Sequence, residues 1–182
     1  MGNSTASVSL QITARDVLNA GLSRGVIPIQ FAQVLELNNG LTDGSIDLAW
    51  STSRVGVAAS TTIDMDLHGA LTDSFGNAVQ FAEVVLIALV NNRTDAGAYI
   101  VLAPAVSGAP FGRLAAGKGF WPADIAADND QGSVVGPGAW LCLYDPTGVP
   151  TTPGTFDKIQ IATSATVGST NAWSILVLGR SS

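Results

Sequence analysis

The side chains that could do chemistry in this 182-residue chain are few and scattered. Asp64, Asp66 and His68 recur at alternate positions, so on a strand they would project from one face and could clamp a cation. The same spacing, interleaved with Ile63, Met65 and Leu67, is also the pattern of a strand with one wet face, and that is the reading we adopt. Asp128-Asn129-Asp130-Gln131-Gly132, with Asp124 nearby, is similar to the start of a calcium loop. Its glycine falls one place early and the acidic residue that should close the loop is missing, so a polar turn is expected. Nucleophilic catalysis by a serine or by Cys142 would need His68 as its base, since it is the sole histidine. No nucleophile elbow accompanies it, and Cys142 lies in the apolar run Trp140-Leu141-Cys142-Leu143-Tyr144. Glu36 and Glu83 are the only glutamates available for a carboxylate pair, and Gly117-Lys118-Gly119 lacks the spacing of a phosphate loop. The expectation is a chain with no catalytic residues, no cofactor and no metal site.

Composition points to assembly instead. Charged residues make up 12 % of the chain and hydrophobic ones 47 %. The charged share is about half of the roughly 25 % usual in soluble domains. A surface so poor in charge is expected to be covered by neighbours. The net charge of −6, with six scattered arginines and two lysines, argues against nucleic-acid binding, which needs a basic surface to displace counterions. A single cysteine excludes an internal disulfide and a multi-cysteine zinc site, and Cys142 is expected to serve as a small buried hydrophobe. No signal peptide is evident at the N-terminus, and no apolar run approaches the ~20 residues of a membrane span. A soluble protein made in a cytoplasm is expected, with no membrane partner.

The elements that position these residues read as strands. Scarce Glu and Lys, with 20 Gly, disfavour long surface helices. Residues 1–9 are small and mostly polar, a flexible N-terminal arm. Leu10 and Ile12 suggest a short strand, Thr13 to Asp16 a brief helical turn, and Gly21 to Gly25 a break. Ile27, Ile29, Phe31, Leu35 and Leu37 share one face of a strand, interrupted by Gln33 and restricted to an edge or a strand start by Pro28. Ile46, Leu48 and Trp50 alternate with Asp47, Ala49 and Ser51. After a turn at Thr72 to Asn77, one continuous strand is expected with Val79, Phe81, Val85, Ile87 and Leu89 on one face. Ala82, Val84, Leu86, Ala88 and Val90 would occupy the other. A strand apolar on both faces belongs inside a sandwich or under a partner subunit. Strands at 99–103, 139–144, 156–163 and 173–178 complete a set of about eight to ten, separated by Gly/Pro/Asn/Asp turns. The fold class is therefore all-β, a single β-sandwich or jelly-roll-like domain over residues 10–182.

Residues 104–138 form a long irregular insertion, of the kind that contacts a neighbour or ligand. Phe111, Phe120 and Trp121 within it are too apolar to leave in water and are the candidate interface residues. Trp50, Trp140 and Trp173 sit on expected strands and are assigned to the core.

Several blocks, in order, resemble small β-rich proteins encoded among the virion structural genes of tailed bacteriophages. They are Ile12-Thr13-Ala14-Arg15-Asp16, Asp47-Leu48-Ala49-Trp50 and the run from Asp66 to Gly76. Pro137-Gly138-Ala139-Trp140-Leu141, Gly154-Thr155-Phe156-Asp157-Lys158-Ile159 and Ile175-Leu176-Val177-Leu178-Gly179 follow. The resemblance covers most of the chain beyond residue 10 and departs most in the insertion. It implies a non-enzymatic capsid decoration (cement) protein, or a related head or tail accessory protein. The implied partners are the major capsid protein or other virion proteins and further copies of the chain, a trimer being favoured. Its implied location is the virion, assembled in the host cytoplasm. The alternatives are a tail or head-fibre component and, in another class, a carbohydrate-binding module using Trp121 and the Asp-rich loops.

Overall fold

The computed structural model describes residues 6–20, 23–69, 71–73, 75–105, 120, 132–164 and 171–181. Among them there is no helix, and the all-β expectation holds. The strands are β1 (Ala6–Ala20), β2 (Ser23–Asn39), β3 (Ser45–Ile46), β4 (Leu48–Val57), β5 (Thr62–Asp66), β6 (Leu71–Thr72) and β7 (Ala78–Val79). They continue with β8 (Glu83–Asn91), β9 (Ile100–Pro104), β10 (Ser133–Val135), β11 (Trp140–Pro150), β12 (Lys158–Thr163) and β13 (Asn171–Arg180).

Two four-stranded antiparallel sheets form the body. The front sheet runs β11-β8-β13-β4 and the back sheet β10-β9-β12-β5. Their inner faces meet in one core, where Ile87, Leu89, Ile175, Val177 and Trp173 pack against Met65, Ile100, Leu102, Ile159 and Ile161. Period-two alternation accounts for the back sheet: Met65, Ile159, Ile161 and Leu102 are buried, while Asp64, Lys158 and Thr62 stand on the other side.

Two expected elements change. The expected short strand at Leu10 and helical turn at Thr13 to Asp16 are replaced by one ladder, and the break expected from Gly21 to Gly25 narrows to the two residues between β1 and β2. β1 and β2 pair in unbroken register from Ala6↔Leu37 to Ala20↔Ser23. Pairing overrides the weak local preference here, because each residue added to an antiparallel ladder satisfies backbone groups that an isolated turn leaves open. The N-terminal arm assigned to residues 1–9 thus contributes Ala6 onward to a strand. Fifteen pairs at 3.4 Å make a ribbon roughly 50 Å long. Pro28 is accommodated because β2 pairs on its second side only at its end, where Asn38 and Asn39 meet β3.

The strand expected to run unbroken from Val79 is divided into β7 and β8, and its faces switch partway. Leu178 pairs with Leu86 and Gly179 with Val84, which leaves Val85 as an extra residue. β11 makes room on the other side, passing from Tyr144 to Val149 through Asp145-Pro146-Thr147-Gly148. The bulge puts Val84 in the main core, while Val85 and Leu86 join a second, outer cluster.

A buried arginine holds this bulge in place. Arg180 is 1 % exposed, and its Nε donates to Glu83 Oε2 at 2.7 Å. Its Nη1 donates to the Thr42 carbonyl at 2.7 Å and its Nη2 to the Thr147 carbonyl at 2.5 Å. One side chain thereby ties the β2–β3 loop and the β11 bulge to the start of β8. Gly148, at φ +74°, leaves the space that the guanidinium fills, and a Cβ at Gly179 would overlap the Glu83 carbonyl.

A candidate interaction surface

Cross-strand register defines three rows on the outer face of the front sheet. The first is Trp140–Val90–Ser174–Ser53, the second Cys142–Ala88–Leu176–Ser51 and the third Tyr144–Leu86–Leu178–Ala49. None of these twelve positions is charged. The third row is partly covered: Leu86 and Leu178 are buried beneath Leu35, Leu37 and Ile46, which come from β2 and β3. The first row is open. Trp140 is 54 % exposed and Val90 40 %, and Tyr144 beside the covered end is 39 % exposed. Between β4 and β8 the face dips into a groove of about 350 Å³ floored by Ala88, Val90 and Leu176 and edged by Ser51, Ser53 and Ser174. Ser174 Oγ lies 2.8 Å from Ser53 Oγ and accepts from Asn92 Nδ2 at 2.8 Å, so the polar atoms at this rim are mutually satisfied. Burying them carries little desolvation penalty.

This face is where the structure departs furthest from expectation. Trp140 is not core. It alternates correctly with Leu141 and Leu143, but those two face the sandwich interior and Trp140 faces out. Cys142 is half-buried on the same outer face, against the second cluster, and burial pushes its thiol pKa above the usual range. Trp173 is core and fully buried, with no partner for its indole N–H among the described residues. Trp50 is half-buried and donates from Nε1 to the Thr72 carbonyl at 3.0 Å.

The other residues singled out for chemistry are engaged in holding connections. His68 Nδ1 lies 2.9 Å from the Phe81 carbonyl, and the His68 amide donates to Asp66 Oδ1 at 2.9 Å. Asp64 Oδ1 accepts from Gln160 Nε2 at 2.8 Å across the back sheet. Glu83 is the counter-ion of Arg180. Among the described residues no three His, Cys, Asp or Glu side chains form a group that could hold a metal. Asp73 organises the turn after β6: its Oδ1 accepts from the amides of Phe75 (2.9 Å) and Asn77 (2.8 Å) and its Oδ2 from Asn77 Nδ2 (3.0 Å). The Asn77 side-chain bond leads in holding this carboxyl below its ordinary pKa.

Of the three aromatics proposed for an interface, Phe120 is half-buried and packs against the main core. Phe111, Trp121 and the Asp124 to Gln131 segment lie outside the described residues. A second concavity, about 460 Å³, opens between the edges β4 and β5. It is lined by Trp50, Arg54, Asp64, Asp66, Thr72 and Asp73, with Trp173 behind them.

Sequence reasoning read β8 as apolar on both faces, inside a sandwich or under a partner, yet put Trp140 in the core and the interface in the insertion, because alternation groups residues by face without saying which face is wet. Compared with protein-family models, curated proteins and solved structures, the chain matches none of them.

Proposed function

We propose that this chain is a non-enzymatic structural protein of a tailed-phage virion, a decoration subunit that attaches to the capsid and associates with its own copies. The observation that supports it most is the uncharged outer face of the front sheet, open at Trp140 and Val90. The sandwich already has a filled core on the other side of that sheet, so this second apolar face has no role in holding the two sheets together. Apolar surface arranged this way is commonly removed from water by another protein. The virion and the capsid enter through the sequence resemblance. Attachment would be mechanical: each copy contacts adjacent coat subunits, and contacts that are weak singly add through avidity.

The test is to mix purified protein with heads that lack it, then sediment and heat them. Retention on the heads, with coat dissociation shifted to higher temperature, is the expected result. Binding to tails alone would move the protein to the tail or head-fibre role. No binding to any virion part would remove the virion reading.

The cleft between β4 and β5 favours one alternative. An aromatic edge at Trp50 beside Arg54 and three carboxylates has the composition of a sugar-binding groove. Saturable binding of a glycan that is lost in Trp50→Ala would promote the carbohydrate-binding reading over the structural one.

A further inference from the structure

The two sheets of the body present four edge strands, β11 and β4 at the front and β10 and β5 at the back. An unpaired edge invites another strand, and proteins usually blunt it with prolines, charges, bulges or shortness. Three of these edges are blunted. β11 carries Pro146 and Pro150 and breaks register between Tyr144 and Val149. β10 is three residues long, and β5 is five residues with Asp64 and Asp66 among them. β4 is the exception: ten residues, LAWSTSRVGV, with no proline and one charge, at Arg54. Its ladder with β13 is regular from Leu48 to Arg54. Among the described residues no backbone group of that stretch bonds on the side away from β13. Ser51, Ser53 and Arg54 are exposed, and Trp50 and Thr52 are half-buried at the cleft between β4 and β5.

We infer that β4 of one copy pairs antiparallel with β4 of a second copy about a two-fold axis at Thr52. Such a pairing is self-complementary and joins positions of like parity, because residues directly opposite in a ladder turn their backbone groups the same way. Charge selects the register and the occupant. Centred on Thr52, the ladder sets Arg54 of each copy opposite Trp50 of the other. Arg54 makes no ion pair among the described residues, and the Trp50 ring borders the cleft. Cation and aromatic ring are then complementary on both sides of the axis, and no like charges meet. Centring on Ser51 would set Arg54 against Leu48, and centring on Ser53 would set it against Thr52. The outer face gains too. Ser53 ends the row that begins at Trp140, and Ser51 ends the row that begins at Cys142. Ser53 opposite Ser51 thus joins the first row of each copy to the second row of the other, and two sheets of four strands become one of eight. This rests on the self-association in the proposed function and names the edge that carries it.

The test removes the native thiol and places new ones about the axis. In a Cys142→Ser background, Thr52→Cys is expected to give a covalent homodimer on mild oxidation, because position 52 faces itself. Ser51→Cys mixed with size-tagged Ser53→Cys should give at least fivefold more heterodimer than either chain gives homodimer. In the unsubstituted protein, exchange of the amides from Trp50 to Arg54 should slow at least tenfold between dilute solution and tens of micromolar. Ser51→Lys with Ser53→Lys should weaken association at least tenfold, and mixing that chain with one carrying Ser51→Asp and Ser53→Asp should restore it. If a substituted chain fails to fold, amide exchange in the unsubstituted protein still decides. Self-association that leaves these amides equally fast at every concentration would overturn the inference, and so would protection that appears only when a different protein is added. A chain that stays monomeric at tens of micromolar yet binds phage heads would sink the inference and leave the virion role standing. A dimer paired through β4 that binds no virion part would do the reverse.

Discussion

The two outer faces of the sandwich differ in a way that the two inner faces do not. On the back sheet the outward positions include the charged Asp64 and Lys158 beside Thr62 and Val134, with Gln160 buried and bonded to Asp64 across strands. On the front sheet the outward positions are Trp, Val, Ala, Leu, Cys, Tyr and Ser, without a charge. Both sheets bury equivalent inner faces. One domain therefore holds one outer wall that carries charge and one that carries none, and the hydrophobic effect treats the second as unfinished core.

The largest test of that contrast concerns the covered end of the front face. If it is true core, Leu86→Ala should cost about 2–5 kcal/mol in denaturant unfolding. A cost under about 1 kcal/mol would mean that the ribbon root only rests on the sheet and that the whole front face is surface.

Next comes the device that turns Val85 and Leu86 outward. Arg180→Met should cost about 2–3 kcal/mol, below the roughly 3–5 of a fully enclosed pair because Glu83 reaches water. The Glu83→Gln, Arg180→Met double variant should recover part of the loss. No recovery in a double-mutant cycle would assign the cost to the lost carbonyl contacts instead.

Smaller still is the open end. In the dilute monomer Trp140→Ala should change stability by no more than about 0.5 kcal/mol, the range of an ordinary surface site. A loss of several kcal/mol would place Trp140 in the fold and dissolve the difference between the two faces.

The smallest effect is a pH dependence. Burial holds the Cys142 thiol neutral above its ordinary range, so the folded chain binds that proton more tightly than the unfolded one. The stability tied to it is complete below the unfolded thiol value of about 8.5 and is lost as pH rises from there through the raised folded value. Unfolding curves measured from neutral into alkaline pH should show this small decline in the native chain and not in Cys142→Ala.

The same contrast explains how far the sequence can be read. The wet wall is legible: Ile63, Met65 and Leu67 against Asp64 and Asp66 is an unambiguous alternation, and β5 follows it. The dry wall is legible as strands and not as a wall. Where both faces are apolar, periodicity says which residues share a side and cannot say which side is inside, so it sends Trp140 to the core. The bulge at Val85 is a tertiary event set by Arg180, Gly148 and Gly179, residues distant in sequence, and no local pattern announces it. Local propensity from Thr13 to Gly25 is weak and divides the ribbon into strand, turn and break, yet fifteen cross-strand pairs outweigh it. Irregular chain is the natural place to look for an interface, whereas among the described residues the uncharged apolar face lies on a regular sheet.

Strand β13 lies between β8 and β4 at the centre of the front sheet, and Ser174 meets Ser53 across 121 positions of sequence. Vectorial synthesis therefore delivers the flanking strands long before the one that joins them. Until residues 171–180 have left the ribosome, β8 and β4 each present an unpaired edge, and both apolar walls of β8 stand open. Nascent copies on one polysome would hold these sticky edges near one another, a hazard common to folds whose pairings are distant in sequence. Strand β13 thus sets the earliest moment at which the front sheet can close.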